Sequence, residues 1–325
     1  MDNKSRQDEH KKNDALENIF PELEQILGTA ENNLLDRFTA PKQKMVLIVG
    51  CARSGSTLLY QYLANSNFFF FPTNFLSRFY YAPYIGYRIQ QALIDFDLKG
   101  EIFPKPEKED SFKSVLGKTK GPKQPHEFWY FWSRFFKFKD DQKLSESEIE
   151  DVDWSLFLKE LHALEKLSGK PILMKAMNLN WNLLDLKSKL PNVHFVFIKR
   201  DIVYNAQSLL VARKKFFGDY KKWYSFKPPN YNDLITLTPE AQVVEQVLAT
   251  NLAIENQLNQ LDESDYSMID YETFCENPSA LITSLQQKDI HVQTNNSEPF
   301  VNGNSQKVSD DMFNTILKYS QNKQG

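Results

Sequence analysis

The spacing of apolar residues changes period several times along the chain, and each change marks an element. Five short apolar runs stand out: Met45 to Val49, Phe68 to Phe71, Ile172 to Met174, Val193 to Ile198 and Tyr266 to Ile269. All are too short for helices and predict buried strands. Between them, apolar residues recur at helical spacing. Thr57 to Ala64 reads as a helix, and Trp154, Phe157, Leu158, Leu161, Leu164 and Leu167 keep one face until Gly169-Lys170-Pro171 ends it. Helices are also expected over 181–190 and 202–213, and from Thr238-Pro239 to about Leu261, with a further start at Asn277-Pro278. Short strands alternating with helices predict an α/β fold: a three-layer, P-loop-type domain whose central parallel sheet is covered on both faces.

Two regions depart from this alternation. Residues 1 to about 12 read as a tail, followed by an amphipathic helix with Ile19, Leu23, Ile26 and Leu27 on one face, closed by Pro41. Residues 75–95 are rich in Phe and Tyr, with Arg78 and Arg88 among them, which suits either core packing or the wall of a cleft. Glu101 to Gln124, with its prolines, glycines and lysines, reads as a long excursion that could serve as a lid. The expected organisation is residues 1–40 as tail and helix, then 41–325 as a single domain with a helical and aromatic insertion at about 75–150.

Composition narrows the function. With 325 residues, 41% hydrophobic and 14% aromatic, the chain can bury a real core. A net charge of −3 gives no general affinity for nucleic acid, so any anion site must be local. Cys51 and Cys275 make neither a disulfide framework nor a metal cluster, so no metal is expected and a reducing compartment fits. The charged N-terminus and the absence of any apolar run near ~18 residues show neither signal peptide nor membrane span, so a cytoplasmic protein is expected.

Candidate chemistry begins where the first run ends. Gly50-Cys51-Ala52-Arg53-Ser54-Gly55-Ser56-Thr57 joins a strand to a helix through two glycines and small residues. Such a loop lets backbone N–H groups and the helix dipole converge on a phosphate. The Walker pattern is nearly complete, but Ser56 stands where its lysine belongs, and the cation has moved inside the loop to Arg53. The alternative is a tight turn with no ligand.

The run RSGSTLL after a strand resembles the 5′-phosphosulfate loop of the sulfotransferases, in particular the branch with tyrosylprotein sulfotransferases and many bacterial enzymes. These use 3′-phosphoadenosine 5′-phosphosulfate (PAPS) as donor. The resemblance covers about 44–64 and 170–280. It implies that Gly50, Arg53, Ser54, Gly55, Ser56 and Thr57 hold the 5′-phosphosulfate. Arg200, at the end of a strand, and Ser208, eight residues on, are similar to the family's 3′-phosphate contacts. Arg213 follows on the same helix and reads with them as part of a second anion site. Lys175, also at a strand end, resembles the lysine beside the transferred sulfonate, although a strand-end lysine is often only a solvated side chain. Tyr271, in Tyr-Glu-x-Phe, resembles a nucleotide contact, and Lys307 lies in a C-terminal turn that could close over the donor.

The tyrosylprotein branch carries a base glutamate shortly after its second strand. Here that stretch reads Pro72-Thr73-Asn74 and holds no carboxylate, so the base is placed at His126 or Glu127, in an aromatic segment that could wall an acceptor site. The other reading of this pair is a helix cap. Arg213-Lys214-Lys215, with Lys221 and Lys222, is either a solvated face or a contact for an acidic acceptor.

The function expected from these residues is metal-free transfer of a sulfonate from PAPS to an acceptor hydroxyl, of a glycan or other cell-envelope molecule. Arg53 and Lys175 would act at the reacting group. One alternative is a P-loop nucleotide kinase or nucleoside triphosphatase, against which stand Ser56 and the lack of a strand-end aspartate beyond Asp201 and Asp270. The other is a non-catalytic nucleotide- or glycan-binding module on the same fold.

Overall fold

Met45–Val49 forms an inner strand, β1, of a four-stranded parallel sheet in a computed structural model that describes residues 3–103, 112–139, 142–293 and 298–324. Before it lies α1 (Asp14–Leu35), and after it come α2 (Ser56–Ala64), α3 (Pro83–Gln90), α4 (Trp129–Phe135), α5 (Glu146–Glu150) and α6 (Trp154–Ser168). The chain continues through β2 (Leu173–Lys175), α7 (Leu183–Lys189), β3 (Val193–Lys199), α8 (Ile202–Phe217), α9 (Tyr231–Leu234) and α10 (Pro239–Leu258). It ends with β4 (Tyr266–Asp270), α11 (Tyr271–Glu276), α12 (Ser279–Gln286) and α13 (Asp310–Gln324). The strand order is β2-β1-β3-β4.

Alternate strand residues point to opposite faces, and both faces are covered. Met45, Leu47, Val49, Phe195 and Phe197 pack with residues of α4, α6 and α7, whereas Val46, Ile48, Val196 and Ile198 pack with α2, α11 and α12. The three-layer α/β expectation is therefore met. Pairing of Ile48 with Lys175, Val49 with Phe197 and Lys199 with Asp270 aligns the strand ends. The loops that follow share the carboxyl edge, where open α/β sheets bind ligands.

Two expectations need correction. Phe68 to Phe71 is no strand: it makes one parallel bridge, Phe70 to Ile172, through the bonds Phe70 N–H to Pro171 O and Leu173 N–H to Phe70 O. Pro171 and Pro72 lack the N–H groups that would extend the ladder. The inward face of α1 is also rotated. Ile19 and Ile26 are exposed, while Phe20 and Leu35 are buried and Leu16, Leu23 and Leu27 pack beside Tyr80 and Tyr130. Glu31, buried on this face, accepts the Tyr84 and Ile85 N–H groups at the start of α3 and so ties α1 to the body.

Of the excursion, residues 104–111 lie outside the described residues. Its later part turns tightly at Leu116 and Gly117, both at positive φ, between the bridged residues Val115 and Lys118.

Candidate functional site

The loop after β1 is built around two close approaches. Gly50 has φ +150, and a Cβ there would fall 2.6 Å from the Ile198 carbonyl oxygen. The Asn180 side chain bonds both its N–H and its carbonyl. Gly55, at φ +97, caps α2, and a Cβ there would lie 2.3 Å from Cδ2 of Tyr271. Only glycine fits either place without strain. Between them Arg53 adopts φ 69, a conformation uncommon outside glycine, and Asn205 of α8 holds the Ala52 carbonyl. The loop thus curls over the start of α2, whose first residues Ser56 and Thr57 face a cleft of about 290 Å³.

Arg200 leaves β3 toward the same cleft. Its Nε donates to Asn304 Oδ1 at 2.8 Å, its Nη1 donates to the Arg53 carbonyl at 3.1 Å, and its guanidinium lies 4.6 Å from the centre of the Tyr271 ring. Glu272 Oε1 accepts from Asn304 Nδ2 and from the Asp201 N–H, so a carboxylate orients the whole group from behind. Ser208, about two turns along α8, meets Arg53 Nε at 3.4 Å. The C-terminal segment closes this end: Gly303 N–H donates to the Tyr271 hydroxyl, Lys307 N–H to Gln207 Oε1, and Lys307 Nζ to the Gly303 carbonyl. Burial first, then Arg200, Arg53 and Lys215, lower the pKa of Lys307.

Lys175, at the end of β2 and 4% exposed, donates to Thr57 Oγ1 at 3.2 Å and to Glu127 Oε1 at 2.5 Å. Glu127 reaches it because 122–126 run antiparallel beside 72–75: Asn74 N–H bonds Gln124 O, Phe75 N–H bonds Pro122 O, and His126 N–H bonds Pro72 O. The residue after this pairing, Glu127, thus brings a carboxylate to Lys175 from another segment. Although 48% of its side chain is open to the cleft, the surrounding walls strip hydration and would raise its pKa. Lys175, by charge and hydrogen bond, then His126 and Arg53, outweigh that and hold it below the ordinary carboxylate value.

A profile of the Sulfotransferase family matches residues 46–288. The chain belongs to that family. No curated protein sequence matches the chain. Among solved structures, a sulfotransferase of Mycobacterium tuberculosis aligns with 92% of this chain and 76% of its own, at 13% identity and TM-score 0.49. One of Mycobacterium avium aligns with 87% and 69%, at 10% identity and TM-score 0.46. One of Alicyclobacillus acidocaldarius aligns with 87% and 95%, at 14% identity and TM-score 0.39.

In this sulfotransferase the cleft gathers most of the residues expected there. Arg53, Gly55, Ser56 and Thr57 line it with Lys175 and Glu127, and Arg200, Ser208, Tyr271 and Lys307 line its other end. Gly50 and Ser54 do not; they form the loop's underside, with Ser54 Oγ buried and without a hydrogen-bond partner among the described residues. His126 is not brought in either. Its Nδ1 accepts the Phe128 N–H at 2.9 Å, and burial first, then Arg78, Lys118 and Lys175, against the pull of Glu127, lower its pKa to about 4. That bond ties the imidazole to the chain before α4, and His126 does not line the cleft. Arg213, expected beside the second anion site, is buried elsewhere, and Lys214, Lys215, Lys221 and Lys222 are exposed.

Two further walls line the cleft, one from the excursion read above as a possible lid and one that was not foreseen. Leu116 and Gly117 of the excursion form a roof, with Gly117 placed so that a Cβ would lie 3.4 Å from Thr57 Oγ1 and 3.5 Å from Glu127 Oε1. Tyr224, Ser225 and Phe226, from the irregular stretch after α8, supply another. The only sequence signal for the latter is Gln242 and Gln246, polar residues one turn apart on the largely apolar buried face of α10.

Proposed function

We propose that this sulfotransferase takes its sulfonate from PAPS and passes it to an acceptor hydroxyl of a glycan or other cell-envelope molecule. The observation that carries the reading is the convergence of the loop at Arg53, Ser56 and Thr57 with Arg200 and Ser208 in one cleft that also holds Lys175 and Glu127. Among the described residues four cationic side chains line it, Arg53, Lys175, Arg200 and Lys307, against the single carboxylate of Glu127. That surplus, with the hydroxyls of Ser56, Thr57 and Ser208, fits a nucleotide bearing several negative charges.

The donor supplies an activated sulfonate, whose bond to the bridging phosphate oxygen breaks as the acceptor oxygen bonds to sulfur. Backbone N–H groups at the start of α2, with Ser56 and Thr57, would hold the 5′ end, and Arg53 would neutralise its charge. Arg200 and Ser208 would hold the 3′-phosphate, with Tyr271 and Lys307 over the nucleotide. Glu127 would take the proton from the acceptor hydroxyl, and Lys175 would stabilise charge on the departing oxygen. Positioning and charge neutralisation carry such a transfer. The kinase alternative finds no support in the placement of its aspartates: Asp201 caps α8 by accepting the Tyr204 N–H, and neither it nor Asp270 lines the cleft.

Titration calorimetry tests the donor. Adenosine 3′,5′-bisphosphate is expected to bind without Mg²⁺ and far more tightly than ATP; Mg²⁺-dependent ATP binding without bisphosphate binding would replace this reading with the kinase. Labelled PAPS with a panel of glycans, small alcohols and tyrosine peptides then identifies the acceptor.

A further inference from the structure

Arg213 is a fully buried cation that makes no ion pair with a carboxylate among the described residues, although Tyr231 and Glu240 act on it by charge. It lies on α8 and is 0% exposed. Its Nη1 donates to Gln242 Oε1 at 2.6 Å and to the Tyr220 carbonyl at 3.3 Å, and its guanidinium sits 4.9 Å from the Trp223 ring. Its Nε and Nη2 have no hydrogen-bond partner among the described residues. Burial pulls its pKa down to about 10, which still leaves it charged at neutral pH. A buried charge so incompletely compensated costs stability, and replacing one by an apolar side chain of similar size is often neutral or stabilising. Fold stability alone does not account for it.

What it touches is the stretch between α8 and α9, residues 218–230, which forms neither helix nor strand. Side chains hold that stretch in place of a backbone ladder. Arg213 takes the Tyr220 carbonyl and the Trp223 face; Trp223 Nε1 donates to the Phe226 carbonyl at 3.1 Å. Gln246, 1% exposed, donates through Nε2 to the carbonyls of Tyr224 and Phe226, each at 3.0 Å. Gln242, one turn earlier on α10, accepts from Arg213 and donates to the Ile235 and Leu237 carbonyls. These anchors bracket Ser225, whose φ of 71 is a costly conformation for a residue with a side chain, and they fix how Tyr224, Ser225 and Phe226 face the cleft. This wall belongs to the Glu127 side. Tyr224 feels the charges of Arg53 and Glu127, and the Phe226 ring lies 6.3 Å from that of Trp129, two residues after Glu127.

We infer that Arg213 and Gln246 are positioning residues for the acceptor: acting through Tyr220, Trp223, Tyr224 and Phe226, they hold the wall against which the acceptor hydroxyl is aligned with Glu127. The inference rests on the sulfonate-transfer reading for its acceptor, but not for the anchoring itself. Arg213→Met and Gln246→Met keep side-chain length and remove the donors, and each serves as control for the other's folding.

Hydrogen exchange of the intact protein is expected to quicken by about tenfold or more in peptides covering 219–228, with the amides of α10 unchanged, since each lost anchor is worth roughly one net hydrogen bond. Adenosine 3′,5′-bisphosphate should bind both variants within about twofold of the parent. The KM of the acceptor returned by the labelled-PAPS panel should rise about tenfold, with kcat changed far less. A merely structural role would lower the melting temperature and leave KM and the loop's exchange as they were, and that result overturns the inference. Failure of the parent protein to bind the bisphosphate would instead sink the donor reading, while the exchange data would still decide whether these residues hold the loop.

Discussion

Lys175 Nζ and Glu127 Oε1 are 2.5 Å apart, although 48 residues separate them in the chain and one belongs to a strand and the other to a loop before α4. Each silences the other: the ammonium keeps the carboxylate ionised, and the carboxylate balances a lysine that is almost wholly buried. Drawing Lys175 toward an incoming anion would leave Glu127 with less to hold its pKa down, and so make it a better base.

Lys175→Ala is expected to leave bisphosphate affinity within a few fold while turnover falls much further, because a group acting on charge that develops in the transition state is felt in kcat. The sign of the pH effect follows from the same contact. With Lys175 present the Glu127 carboxyl titrates below its ordinary value, so the acidic limb of the rate profile lies low; without it, burial dominates and the limb moves to higher pH. A pH–rate profile of the two proteins checks this. An unmoved limb in Lys175→Ala, or a limb kept in Glu127→Gln, rules out Glu127 as the base.

Arg200→Ala is expected to remove a charged contact to the proposed donor, worth about 1.5–3 kcal/mol. Bisphosphate affinity should drop by roughly ten- to a hundredfold. Glu272→Gln, which retains the acceptor oxygen toward Asn304 and the Asp201 N–H, should weaken binding far less. Calorimetry on both variants separates contact from support.

Gly55→Ala places a methyl group into the Tyr271 ring at a φ of +97. The variant should lose about 1–3 kcal/mol of stability from backbone strain, read by denaturant titration. Bisphosphate binding should also weaken at least about tenfold as Tyr271 is pushed from its place over the loop.

Glu31 provides a stability test away from the cleft. Burial, opposed by the Tyr84 and Ile85 N–H groups and by Arg134, raises its pKa to about 7. The folded state thus holds this proton more tightly than the unfolded chain. Its contribution is fully present below about pH 4.5, the unfolded value, and is lost as pH rises through about 7. Glu31→Gln should therefore flatten the decline of melting temperature across that window, as scanning calorimetry at a series of pH values would show.

Much of the fold was legible because it rests on local regularities. The β-branched run Met45–Val49, the Gly169 stop and the Thr238-Pro239 start each act within a few residues, and all three mark the ends of elements that formed. Phe68 to Phe71 misled because apolar character signals burial and not a ladder, and Pro72 after it and Pro171 on the facing segment remove the hydrogen bonds. Ile19 and Ile26 misled because a helix with apolar residues on several sides does not announce which side its neighbours will cover.

The site divides along the same line. Gly50 to Thr57 works as one continuous loop, so the order of its residues determined it: where small residues, a cation and a helix start must stand is a matter of short-range sterics and dipoles. What the chain order could not decide was anything made by distant segments meeting. The pairing of Glu127 with Lys175 depends on 122–126 running beside 72–75, and the wall at Tyr224 to Phe226 depends on Arg213 turning inward to Trp223 and on two glutamines of α10. Read along the chain, His126 and Glu127 are equal candidates, and Arg213 is one more residue in a basic run. Tertiary packing placed Glu127 in the cleft and His126 and Arg213 outside it, because burial and hydrogen-bond partners are set by segments far apart in the chain.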